Sequence, residues 1–158
     1  MNKRVLAIDP GFDRVGIAVL EKDEVLFSKC LETTRKLSHE SRLIEIGNAV
    51  KEVIKKWKPS SLAIESLFFN QNITNALKVS EARGVILYEA SRGGLSIHEY
   101  SPQAVKIAVT GYGKATKPQV ETMVKKLIKL ENKGSRRLDD ELDAIALGIT
   151  HLASMRSI

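Results

Sequence analysis

Four acidic residues lie at the ends of predicted secondary-structure elements: two end buried strands, and two lie near the start of a helix. Asp9 closes the apolar run at 5–8 and Glu65 closes "SLAIE" at 61–65, so each ends a short buried strand. Asp140 and Asp143 are three residues apart in a predicted helix and share one face. Gathered carboxylates repel one another and need a cation, and oxygen-only ligation suits Mg²⁺ or Mn²⁺. Two such ions roughly 3.5–4 Å apart would clamp the attacking and leaving oxygens of a phosphodiester.

Each acid also has a simpler interpretation. Asp9 precedes Pro-Gly and suits a turn, and Glu65 suits a solvated strand end. Asp139 and Asp140 suit the first turn of a helix, where acids complement the dipole. A metal site explains the whole set at once, whereas these interpretations need a separate reason for every acid.

The elements that must position these acids follow an α/β order. Strands are predicted at 3–9, 14–20, 24–30, 61–65 and 95–100, and helices at 38–57, about 72–91, from 102, 118–130 and about 139–155. The first three strands form an antiparallel meander, and the whole predicts a mixed five-stranded sheet flanked by helices in one domain over 1–158. Small residues at 144, 146 and 148 would let the last helix lie close to the sheet, which brings its acids to Asp9 and Glu65.

Charge and composition restrict the class of protein. The 158 residues are 43% hydrophobic and carry a net charge of +6, which favours a polyanionic partner, nucleic acid before a membrane surface. The single cysteine, Cys30, allows no internal disulfide and is expected to be a small buried thiol. The first apolar run stops too soon for a signal peptide, and no run is long enough to span a bilayer. A cytoplasmic protein is therefore expected.

Five segments together carry a resemblance to a known family. They are "AIDPG" at 7–11, "LAIESLFF" at 62–69, "NALKVSEARG" at 75–84, "HEYSPQAVKIAVTGYGKATKPQV" at 98–120 and "DELDAIALGITH" at 140–151. The ordered set resembles the RuvC-type Holliday junction resolvases of the ribonuclease H-like superfamily. The resemblance implies a homodimer that grips a four-way DNA junction in recombination and repair. Each subunit would cut one strand, leaving 5′-phosphate nicks that ligase can seal, in concert with a RuvA–RuvB branch-migration motor.

The resemblance also implies roles for individual residues. It assigns two Mg²⁺ ions, for which Mn²⁺ would substitute, to Asp9, Glu65, Asp140 and Asp143. It places Lys106 and Lys117 near the scissile phosphate, and one aromatic, Phe68 or its neighbour Phe69, at the junction centre.

Further DNA contacts are expected from charge and polarity. Candidates for phosphate binding are Lys114 in the Gly-rich loop at 111–118, Arg83, Asn70, Asn72 and Asn75. The alternative for any one lysine is a solvated surface charge, and for both phenylalanines a place in the core.

Other functions remain open at this level. "DRVGIAV" at 13–19 resembles the YqgF-type family of putative resolvases and RNA-processing nucleases, which lacks the later segments. A non-catalytic junction-binding module would not need four acids. An actin-like or sugar-kinase ATPase lobe would need a second lobe and more chain.

Overall fold

The computed structural model describes residues 3–67, 72–128 and 139–156. Within them it has five strands, β1 Val5–Asp9, β2 Arg14–Glu21, β3 Glu24–Glu32, β4 Ser61–Glu65 and β5 Ser96–Tyr100. Five helices accompany them, α1 His39–Trp57, α2 Ile73–Arg92, α3 Pro102–Thr110, α4 Lys117–Leu127 and α5 Asp139–Arg156. The predicted element order is confirmed.

The five strands form one mixed sheet in the order β3-β2-β1-β4-β5. The β1–β2 and β2–β3 pairs are antiparallel, whereas the β1–β4 and β4–β5 pairs are parallel. In the β1–β4 register Ile8 lies opposite Ile64, so the next residue of each strand, Asp9 and Glu65, comes at the same edge of the sheet. The predicted mixed sheet is confirmed, and its central parallel pair brings these two acids together.

Alternation along the strands divides the core into two layers. Leu6 and Ile8 of β1 pack with apolar residues of α1 and α2. Val5 and Ala7 face the other way and pack with α3, α4 and α5. Because successive strand residues point to opposite faces, this alternation covers both sides of the sheet with helices.

Helix α5 lies unusually close to the sheet at two glycines. A Cβ atom on Gly148 would come within 2.4 Å of Leu20 Cδ1, and one on Gly16 of β2 within 1.8 Å of the Asp140 carbonyl oxygen. No side chain fits either space, so the small residues are what permit this packing. The prediction that small residues of α5 bring it close to the sheet is confirmed at Gly148, and Gly16 of β2 adds a close approach that was not predicted.

A buried histidine ties α5 to the parallel strands. His151 is 1% exposed; its Nε2 lies 3.0 Å from Ser61 Oγ, and its Nδ1 lies 2.8 Å from the Tyr100 hydroxyl. Burial, followed by the nearby His98, lowers the pKa of His151 to about 4. The imidazole is therefore neutral near pH 7 and joins β4, β5 and α5 through hydrogen bonds.

The start of α4 differs from the sequence prediction. Thr116 caps the helix, and a capping box with Gln119 makes Lys117 the first helical residue, one position before the predicted start at 118. Pro118, also in this turn, has no N–H to leave unsatisfied. Lys117 is therefore held on a rigid element.

None of the helices in the described part of the chain is long and apolar enough to cross a membrane.

Candidate metal centre and nucleic-acid interface

The predicted acids come together at the end of the central strands. We call Asp9, Glu65, Asp140 and Asp143 the carboxylate cluster. Asp9 and Glu65 end the neighbouring strands β1 and β4, and Asp140 and Asp143 lie at the start of α5. Asp9, Asp140 and Asp143 each offer one carboxylate oxygen, and these three oxygens lie within 4.8 Å of one another. Glu65 joins them through a side-chain hydrogen bond with Asp9.

The electrostatics of the cluster fit a divalent cation. Burial first, and then the charges of Glu65, Asp143 and Asp140, raise the pKa of Asp9 to about 8. Burial likewise raises the pKa values of Glu65 and Asp143. Carboxylates that are partly buried and this close resist ionising together, and a cation ligated by oxygen would relieve that cost. The donor set is therefore of the kind that Mg²⁺ and Mn²⁺ bind.

A cleft of about 290 Å³ opens beside the cluster. Asp9, Glu65 and Asp143 line it together with two lysines, Lys106 of α3 and Lys117 of α4. Once a cation occupies the cluster, the two lysines at its border would help to hold a phosphodiester close to the metal ligands.

Lys117 is paired with acids of α5. Its Nζ lies 3.3 Å from Asp143 Oδ2 and 3.9 Å from Asp139 Oδ2. Partial burial opposes its charge, but the contact with Asp143 outweighs this and raises the pKa of Lys117. The lysine therefore stays protonated and neutralises part of the cluster. Asp139, the extra acid of the first turn, is exposed beside it.

The structure adds two contacts around Asp140 that sequence reasoning missed. Arg14 Nε lies 3.1 Å from Asp140 Oδ2, and Cys30 Sγ lies 3.9 Å from the same oxygen. Cys30 is only half-buried, so the expectation of a buried thiol is wrong: its strand, β3, lies at the edge of the sheet and is incompletely covered. Glu141, the next residue of α5, is buried and accepts a hydrogen bond from Ser28 of β3 at 2.5 Å.

The other predicted DNA-binding residues lie in different settings. Asn72 caps α2, its side chain accepting from the Asn75 backbone N–H at 3.2 Å, and both residues are exposed. Lys114 is exposed in the loop between α3 and α4. Arg83 is held internally: it pairs with Glu99 at 2.7 Å and donates to the Glu65 carbonyl at 3.4 Å. Phe68, Phe69 and Asn70 lie outside the described residues.

A family model for the crossover junction endodeoxyribonuclease RuvC matches residues 5–151. The chain belongs to the RuvC family. A curated relative from Halothermothrix orenii is 42% identical over 156 residues, covering 96% of this chain and 93% of the relative. One from Heliobacterium modesticaldum is 43% identical over 149 residues, covering 92% of this chain and 91% of the relative. Both are named crossover junction endodeoxyribonuclease RuvC.

Solved structures agree with the family. The fold matches that of Thermus thermophilus RuvC in complex with Holliday junction substrate, with a TM-score of 0.91 and 30% identity over 99% of this chain and 96% of that one. It also matches the fold of the yeast mitochondrial Holliday junction resolvase Ydc2, with a TM-score of 0.66 and 18% identity over 99% and 81%. The resemblance to RuvC-type enzymes and the ribonuclease H-like fold are thereby confirmed. Membership of this nuclease family implies dependence on a divalent metal, which the carboxylate cluster fits.

Proposed function

We propose that the protein is a structure-specific endonuclease that resolves four-way DNA junctions by paired symmetric nicks, in recombination and repair. The observation that carries this proposal is the carboxylate cluster at the edge of a RuvC-family sheet, bordered by lysines in an open cleft. The structural relative from T. thermophilus was solved with a Holliday junction substrate, which supports the same substrate class here.

The carboxylate cluster is proposed to hold two Mg²⁺ ions, with Mn²⁺ as a substitute. When bound, such ions would activate the attacking water and neutralise charge on the leaving 3′ oxygen, giving a 5′ phosphate. Asp9 and Glu65 would contribute from rigid strand ends, and Asp140 and Asp143 from the first turn of α5. This division gives the site ligands whose backbone positions are fixed by the sheet and by one packed helix.

The two cleft lysines are proposed to act on the DNA strand. Lys117 stays protonated beside Asp143 and would hold the scissile phosphate against the cluster. Lys106 borders the same cleft and would neutralise a neighbouring phosphate. Lys114, exposed on the adjoining loop, is suited to the backbone farther along the strand.

Contacts to the junction centre and arms complete the proposal. Phe68 or Phe69 would stack on an unpaired base, an interaction worth about 1–3 kcal/mol per base. Asn70, Asn72 and Asn75 would contact phosphates. Arg83 would join them only by leaving Glu99, its partner at 2.7 Å.

A homodimer is proposed through α2. Ile73, Leu77 and Tyr88 are 54–68% exposed and recur with near-helical spacing, so they form one apolar face. Gly84 lies between them on α2, and a Cβ atom there would meet nothing within 4 Å. An unpaired apolar stripe on an otherwise charged surface is suited to self-association.

The proposal has three further parts. The chain forms one nuclease domain over 1–158, it acts in the cytoplasm with chromosomal DNA, and it cooperates with RuvA and RuvB.

The test is cleavage of a mobile four-way junction in Mg²⁺, with linear duplex and an RNA–DNA hybrid alongside. Asp143→Asn should abolish cutting, whereas Asp23→Asn, which changes an exposed acid paired with Arg156, should not. Paired nicks restricted to the junction are expected. Junction binding without cutting by the unchanged protein would contradict catalysis, and preferential cutting of the hybrid would contradict the proposed substrate.

A further inference from the structure

Arg14 contacts a member of the carboxylate cluster from β2. Its Nε lies 3.1 Å from Asp140 Oδ2 and 4.0 Å from Glu32 Oε1 of the neighbouring strand. The guanidinium therefore lies between an exposed acid of β3 and an acid that the metal site needs. Lys117 donates a hydrogen bond to Asp143, whereas Arg14 meets Asp140 as an ion pair, because its Nε makes no hydrogen bond to any described residue.

The backbone of Asp140 is anchored by the same strand face. Arg14 and Gly16 are two residues apart on β2, so they point to one side of the sheet. Gly16 lies so close to the Asp140 carbonyl that a Cβ atom there would come within 1.8 Å of it. One strand thus fixes both the main chain of Asp140, through Gly16, and its side chain, through Arg14.

The paired strand β3 holds the next residue of the helix. Ser28 donates a hydrogen bond to Glu141 Oε1 at 2.5 Å, and both residues are buried. The first turn of α5 therefore rests on the β2–β3 pair, which leaves the side-chain torsions of the Asp140 carboxylate to be set. Arg14 contacts one of that group's two oxygens.

We propose that Arg14 is a positioning residue that orients the Asp140 carboxylate for divalent-metal binding. The inference rests on the metal site proposed above and adds a residue outside its ligand set. The ion pair at 3.1 Å favours the carboxylate rotamer that keeps Oδ2 beside Nε, and partners that orient ligating carboxylates are typically worth about 10- to 100-fold in metal affinity.

Charge alone predicts the opposite result. A cation this close repels a divalent ion, so removing Arg14 would tighten metal binding if its only effect were electrostatic. The sign of the change therefore separates orientation from charge. Global stability should hardly change, because the Arg14 and Asp140 side chains are 41% and 29% exposed and such pairs contribute at most about 1 kcal/mol.

The experiment measures Mn²⁺ affinity of the full chain without DNA, by electron paramagnetic resonance of free Mn²⁺, together with the unfolding temperature in EDTA. Arg14→Ala should weaken binding about tenfold or more with little change in unfolding temperature. Arg14→Lys, which keeps the charge but not the Nε that lies beside Asp140, should recover part of that loss. Glu32→Gln removes the other acidic neighbour of Arg14 and should bind Mn²⁺ like the unchanged protein.

Three other results would contradict the positioning role or the metal site on which it rests. Unchanged or tighter Mn²⁺ binding by Arg14→Ala would overturn the positioning role while leaving the metal site intact. An equal loss in Glu32→Gln would overturn it too, because the effect would then belong to the β2–β3 pair in general. Absence of Mn²⁺ binding by the unchanged protein would overturn the metal site and this inference with it.

Discussion

Asp9→Asn should make the metal-free protein more stable at neutral pH. Burial and three neighbouring acids raise the pKa of Asp9 to about 8, against an ordinary 3.8. The folded state therefore holds a proton that the unfolded state releases, and stability falls as pH rises from 3.8 to about 8. Each pH unit in this range lowers the free energy of unfolding by up to 1.36 kcal/mol, which adds up to roughly 4 kcal/mol by pH 7. Asparagine removes the ionisation, and its amide can still donate to Glu65.

The assay is urea unfolding in EDTA between pH 5 and pH 8. The stability difference between Asp9→Asn and the unchanged protein should grow with pH, and 4 kcal/mol is an upper bound at pH 7 because Glu65 shares the proton through its hydrogen bond. Added Mg²⁺ should then stabilise the unchanged protein more than the variant. A variant that is less stable at pH 7, or a difference independent of pH, would refute the reasoning about the cluster.

Three further outcomes are expected. Gly16→Ala should cost about 1–3 kcal/mol in urea unfolding and weaken Mn²⁺ binding, because its Cβ would overlap the Asp140 carbonyl; unchanged values would contradict the close packing. His151→Gln should remove a component of stability that rises by about 2 kcal/mol from pH 5 to 6.5, since the folded pKa near 4 lies below the ordinary 6.5; parallel pH profiles of the two proteins would argue against it. Lys117→Ala should lower the salt slope of junction binding by about one, whereas the exposed Lys125→Ala should lower it less; equal slopes would remove Lys117 from the phosphate contacts.

Local sequence pattern predicted the elements because each leaves a signal of its own. The strands show alternating apolar and polar residues, or a continuous apolar run, between short turns. Ser38 and Pro102 mark helix starts that the structure reproduces. The misplaced boundary at Lys117 also had a local signal. Thr116 and Gln119 form a capping box, which starts the helix at Lys117, three residues after Lys114 of the Gly-rich loop.

Ligand candidates were predictable, but their supporting contacts were not. Asp9, Glu65 and Asp143 follow from strand ends and helix spacing, which are properties of short segments. Arg14 gives no such signal, since its contact with Asp140 exists only after β2 pairs with β1 and α5 packs across both. The hydrogen bonds of the buried His151 imidazole were equally unpredictable, because its partners Ser61 and Tyr100 come from two separate strands, β4 and β5.

The position of α5 links the stability of the fold to the site. The helix contributes two acids to the cluster, and it reaches the sheet only because Gly148 and Gly16 leave room for Leu20 and for the Asp140 carbonyl. Its apolar face packs with Val5, Ala7 and Ala18, and this burial opposes the repulsion that the carboxylates create at its first turn. A shift of the helix that relieved the repulsion would lose that packing along its length. The protein therefore tolerates a destabilising group of acids in the metal-free state because the residues that gather them are also those that close the core.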